Sequence, residues 1–137
     1  MKEERISLVT AKLAKEKGFD VGCNGSYTEF LKTHKSDNPS FAMKKGEIEF
    51  DGSFYFTNNS PMSDFSNENY TMYSAPTQSL LQKWLREKHG LILWIEFTGV
   101  ENLKWVYIIF GIPREYMGNS YEECLEVGLQ KALELIK

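Results

Sequence analysis

The chain has 137 residues, 16 Lys and Arg against 19 Asp and Glu, and a formal charge of −3, with 42% hydrophobic, 26% charged and 14% aromatic side chains. This length and apolar content predict one domain, residues 1–137, with a core of its own, and the acidic balance disfavours a general binder of phosphate backbones. Cys23 and Cys124 lack any C-x-x-C spacing, which excludes a zinc ribbon or a thioredoxin-like motif on pattern.

Met1-Lys2-Glu3-Glu4-Arg5 leads into an amphipathic stretch, and no run approaches the roughly 18 apolar residues of a membrane helix. A cytoplasmic protein with reduced cysteines and no membrane partner is expected. On such a chain the sequons at Asn24, Asn58 and Asn69 carry no glycan.

Glu3 to Lys17 reads as a first helix, with Ile6, Val9 and Leu13 on one side and Gly18 as its stop. From Asp20 to Lys45 the periodicity fades among Gly22, Asn24, Gly25, Asn38 and Pro39, so irregular structure with at most a short strand is expected. Gly46 to Thr57 reads as a hairpin turning through Asp51-Gly52-Ser53, a register that pairs Phe50 with Phe54 and Ile48 with Phe56 and leaves Glu49 opposite Tyr55. Asn58 to Asn69, rich in Asn and Ser, reads as a long surface loop, and Tyr70 to Tyr73 as a short strand.

Ser74 to Gly90 encodes the second helix completely. Pro76 presets φ ahead of the first turn, Thr77 supplies a capping hydroxyl, and Leu80, Leu81, Trp84 and Leu85 share one side. Lys88 and His89 suit the negative end of the dipole, and Gly90 the left-handed turn that ends the helix. Leu91 to Phe97 and Lys104 to Phe110 are strong strands forming a second hairpin, stopped at Gly111-Ile112-Pro113. The third helix opens on the capping box Ser120-Tyr121-Glu122-Glu123, and its small residues Cys124, Gly128 and Ala132 fall four apart, so that its backbone can approach a neighbour closely.

The blocks Ala11 to Asp20, Ser74 to Gly90 and Ser120 to Ile136 together resemble small, uncharacterised proteins of gut Bacteroidales bacteria and their phages and mobile elements. The resemblance covers about a third of the chain and brings no known activity, cofactor or catalytic residue. It implies an accessory protein of phage or mobile-element origin. Such proteins more often have Ala at position 124, a swap that concerns packing. The last helix is also similar to that of small antitoxins with a partial double-stranded-RNA-binding fold.

Chemistry-bearing constellations are few. His34 and His89 are the two histidines, His89 sits where a helix-end role suffices, and nothing places His34 beside Cys23 as a thiolate pair. Glu47, Glu49 and Asp51 read as solvated charges of a strand rather than a divalent-ion site. No phosphate-loop, dinucleotide, zinc-protease or hydrolase motif occurs, so no cofactor, metal or catalytic residue is assigned.

The second hairpin is apolar on both sides. Leu91, Leu93, Ile95 and Phe97 alternate with Ile92, Trp94 and Glu96, and Trp105, Tyr107 and Ile109 with Val106, Ile108 and Phe110. One set meets the helices and the other needs a cover, so Trp94, Trp105 and Tyr107 are the candidate contacts of a homo-oligomer or a protein partner. The alternative is nucleic-acid binding by Lys83, Arg86 and Lys88 on the outer side of the second helix. The expected fold is α+β, a mainly antiparallel sheet with helices on one face, in the order helix, hairpin, loop, helix, hairpin, helix. The expected function is non-enzymatic, a protein-interaction or self-associating module.

Overall fold

The computed structural model describes residues 4–31, 45–60, 70–100, 103–113, 115–116 and 118–137. His34, Lys44 and most of the Asn/Ser-rich loop, from position 61 on, lie outside the described residues. The described elements are helices α1 (Leu8–Glu16), α2 (Gln78–His89) and α3 (Tyr121–Glu134), and strands β1 (Cys23–Phe30), β2 (Ile48–Phe56), β3 (Tyr70–Ser74), β4 (Leu93–Val100), β5 (Leu103–Ile109) and β6 (Glu115–Tyr116). All strand pairings are antiparallel, in two three-stranded sheets ordered β2-β1-β3 and β4-β5-β6. The fold is α+β. The chain gathers into two compact units, one formed by the segment up to Phe19 together with Thr77–Lys137, the other by Asp20–Pro76.

In the first unit, α3 is the helix laid on the sheet. A Cβ at Gly128 would lie 3.0 Å from Leu93 Cδ1 and 3.0 Å from Tyr107 Cβ, so the glycine is what lets α3 sit this close to β4 and β5. Cys124 and Ala132, one helical turn to either side, are also fully buried. α2 follows its sequence signals closely. Thr77 accepts from the Leu80 amide at 3.3 Å, Gly90 closes the helix at φ 65°, and Leu81, Trp84 and Leu85 are buried. The Trp84 ring meets Phe19 edge-on at 5.2 Å.

α1 departs from expectation. It begins at Leu8, and residues 4–6 are extended instead, Arg5 forming an antiparallel bridge to Thr77 and the Gln78 amide donating to Glu4 O at 2.9 Å. Ile6 is buried from that extended stretch, Val9 is 65% exposed, and the buried residues of the helix are Thr10, Ala11 and Ala14. The reason lies in the start. Ser7 caps the helix by accepting from Thr10 N at 3.3 Å, which fixes the first turn several residues later than the apolar spacing alone suggests.

The second unit corrects two further expectations. The expected Gly46–Thr57 hairpin is one continuous strand, β2, paired with β1 on both sides of an irregularity. Asp51-Gly52-Ser53 does not reverse the chain but forms a bulge: Ser26 faces Asp51 while Asn24 faces Tyr55, so β2 spends extra residues where β1 advances by two. The Asp51 carboxylate accepts from the Ser53 amide at 2.8 Å and the Ser53 hydroxyl at 2.5 Å, a local turn that fits inside the strand. The stretch expected to be irregular contains β1, the central strand of this sheet. Its Gly25 carbonyl accepts from Ala75 N at 2.9 Å. β3 is the short strand expected at Tyr70 to Tyr73, extended to Ser74.

Candidate interaction surface

The β4–β5 register sorts the apolar side chains of the first unit by face. Leu93, Ile95 and Phe97 stand opposite Ile109, Tyr107 and Trp105, and this is the face on which α3 lies, through Gly128 against Leu93 and Tyr107. The reverse face carries Trp94 opposite Ile108, Glu96 opposite Val106, and Ile92 joined to Phe110 by the bond from Phe110 N to Ile92 O at 2.9 Å. On that reverse face Phe110 is 75% exposed and Ile92 46%, Trp94 and Ile108 are half-buried, and Val106 is buried. The Trp94 indole donates to Glu96 Oε1 at 3.1 Å, which satisfies its polar edge and leaves its rings as apolar surface.

The three aromatic candidates therefore do not form one patch. Trp94 belongs to the reverse face, and Trp105 and Tyr107 to the helix face. Tyr107 is 2% exposed, a core residue under α3, which corrects its place among the contact candidates. Trp105 lies at the margin of the same face, half-buried between Phe97 (ring centroids 5.1 Å) and Tyr121 (5.6 Å), whose own exposures are 61% and 41%. Phe97 and Tyr121 were not singled out by sequence reasoning. The signal for them existed in the hairpin register and in the position of Tyr121 at the mouth of α3.

Lys83, Arg86 and Lys88 are all exposed. At 3.6 residues per turn, Lys88 stands about 160° around the helix from Arg86, and Glu87 lies within about 40° of Lys83. Lys83 and Arg86 lie about 60° apart and Lys88 stands away from both, so the three cations do not form a single row. His89, at the end of α2, is exposed with its ring 4.7 Å from that of Trp84.

Cys23 is buried with Sγ 3.5 Å from Gly25 O. Cys124 is fully buried, and its thiol is pushed up to about 11, first by burial and second by the negative charge of Glu123. Such a thiol is packing material, not a nucleophile. Glu49 and Asp51 are exposed, and among the described residues no group of three or more His, Cys, Asp or Glu comes together as a metal site. Ser53 holds the Asp51 carboxyl below its ordinary range through its hydroxyl and then its amide. No described helix is long and apolar enough to cross a membrane.

One polar cluster escaped the sequence entirely. Glu126 Oε2, on α3, accepts from the Ser7 amide at 2.9 Å, the Ser7 hydroxyl at 2.9 Å and the Thr10 hydroxyl. Glu126 Oε1 accepts from Gln78 Nε2 at 3.1 Å, and Gln130 Nε2 donates to Thr10 Oγ1 at 2.9 Å. Ser7 and Thr10 occupy the cap and third positions of α1, where a capping box would carry Ser and Glu. Here Thr10 stands in the glutamate's place, and α3 supplies the missing carboxylate across 119 residues. The cluster ties α1 and α2 to α3.

No protein family model matches the chain, no curated protein matches it in sequence, and no solved structure matches it.

Proposed function

We propose that this chain is a protein-interaction module that associates with itself or with a protein partner through the first unit, and that it is not an enzyme. The observation carrying this reading is the reverse face of β4–β5. Ile92 and Phe110 present apolar surface to water beside the half-buried Trp94 and Ile108, on the side of the sheet opposite α3. A contiguous apolar surface of that kind is costly when bare, at roughly 25 cal/mol per Å² of hydrocarbon left in water, and is the usual mark of an association surface. The aromatic row Phe97, Trp105 and Tyr121 at the margin of the other face adds adjoining rings of the type that anchor interfaces. Its role as an accessory protein of phage or mobile-element origin rests on the resemblance of its three sequence blocks.

Light scattering on a sizing column tests the reading. The wild type is expected to run heavier than its 15.9 kDa monomer, and Trp94→Ser or Phe110→Ser to return it to monomer with an unchanged thermal unfolding curve. Trp105→Ser reports separately on the aromatic row. A wild type that is monomeric at all concentrations, and that captures the same proteins as Trp94→Ser, sinks the proposal.

A further inference from the structure

The second unit differs from the first in charge. Asp20–Pro76 holds eight Asp and Glu against four Lys, whereas the remainder of the chain holds eleven acidic and twelve basic residues. The negative excess thus belongs to this unit alone. Among the described residues its sheet ends at β2, which is hydrogen-bonded to β1.

Every residue of β2 except Phe56 is exposed. Ile48 (48%), Phe50 (47%), Phe54 (38%) and Tyr55 (69%) show large apolar area on a strand that also displays Glu49 and Asp51. Opposite β1, Ile48 and Phe50 face Glu29 and Tyr27, with the Phe50 and Tyr27 rings 5.5 Å apart, while Glu49 and Asp51 face Thr28 and Ser26. Glu49 and Asp51 therefore stand on one face of the strand together with Tyr55, whose partner Asn24 shares the face of Ser26 and Thr28, while Ile48 and Phe50 stand on the other.

Charge decides what such a strip can hold. A second copy of it would set Glu49 and Asp51 against like charges, and a nucleic acid would meet a field of its own sign. A neutral apolar partner would have to strip water from the carboxylates without pairing them. An extended segment with arginine at alternate positions satisfies both faces: a guanidinium stacks flat on the exposed Tyr55 ring while its N–H fork donates to Glu49 or Asp51, and the apolar residues between arginines cover Ile48 and Phe50. We propose that β2 is a docking strip for an extended, arginine-bearing segment of another protein, a site separate from the association surface of the first unit.

The test titrates the full chain with a labelled peptide of alternating Arg and Val, and with counterparts carrying citrulline or Glu in place of Arg. The arginine peptide is expected to bind, with affinity falling as salt rises, and the citrulline and Glu peptides to bind at least about tenfold more weakly. The variants Glu49→Gln with Asp51→Asn, and Phe50→Ser with Tyr55→Ser, are each expected to weaken binding about tenfold, and Lys83→Ala to leave it unchanged. Should the ring variant fail to fold, the charge variant decides alone, since both of its carboxylates are exposed. Failure of the arginine peptide to bind, equal binding of the Glu peptide, or wild-type affinity in the charge variant overturns the proposal. So does a change of oligomeric mass in the β2 variants, which would make a second copy the occupant.

Discussion

The Cys124 thiol illustrates how position sets chemistry at a single residue. An unfolded chain releases its proton near 9.0, whereas the folded chain keeps it to about 11. Between those values the folded state holds a proton that the unfolded state has lost, so stability is complete below about pH 9 and falls as pH rises through the window. Urea midpoints are expected to drop across this interval in the wild type, and to drop less in Cys124→Ala. Parallel pH profiles for the two proteins would contradict the burial argument. The alternation of small residues along the last helix already marked position 124 as a packing site, but the cysteine's inertness required its depth. The same contrast holds at Tyr107 and Trp105: an aromatic strand residue reads alike from sequence whether it is core or margin, and only the neighbouring glycine on α3 tells the two apart.

Among the elements, Gly128 makes a sharper prediction than its helix propensity suggests. Alanine at a helical site normally adds about 1 kcal/mol relative to glycine, but here the new methyl must enter a space 3.0 Å from Tyr107 Cβ, an atom rooted in the β5 backbone. Overpacking of a filled interface costs about 1–3 kcal/mol, so Gly128→Ala is expected to be net destabilising by about 1 kcal/mol and Gly128→Val by more, read as shifts in urea midpoint. An alanine variant as stable as the wild type would show that α3 stands further from the sheet. Elements whose determinants are local were legible: α2 from Thr77 to Gly90, the start of α3 at Ser120, and the β4–β5 hairpin with its face assignment left open. β1 and β2 were not, for a common reason. Asp51-Gly52 is a turn signal by local chemistry, yet it is absorbed as a bulge because β1, a strand broken by Asn24 and Gly25 in sequence, supplies the partner that a hairpin would otherwise have supplied itself.

At the scale of the whole molecule, the Glu126 cluster is the clearest case of a determinant with no local trace. Its donors come from residues 7, 10 and 78, and nothing near any of them in sequence announces the carboxylate. Glu126→Ala leaves the buried Thr10 and Gln78 without their charged acceptor, at a cost of about 2–3 kcal/mol. For a chain of this length that corresponds to a fall in Tm of about 10 °C in calorimetry. Glu126→Gln, which keeps one acceptor oxygen, is expected to lose about half as much; equal losses would mean that the charge is immaterial. The α+β class and the placing of a helix against one side of the second hairpin followed from periodicity. The division into two sheets did not, because it depends on which strands pair, and pairing across tens of residues leaves no mark on the spacing of side chains.

The bonds that hold α1 to α3, from Ser7 and Thr10 to Glu126 and from Lys17 to the Ile136 carbonyl, have a consequence for how the chain matures. On the ribosome, the cap of α1 is translated 119 residues ahead of the carboxylate that anchors it. All three strands of the β2-β1-β3 sheet clear the exit tunnel before α3 does, so that sheet can close while α1 is still waiting. Nascent chains whose residues up to Gly90 are held clear of the tunnel by a C-terminal spacer should accordingly protect the Asp20–Pro76 segment from protease and leave the α1 segment open to cleavage.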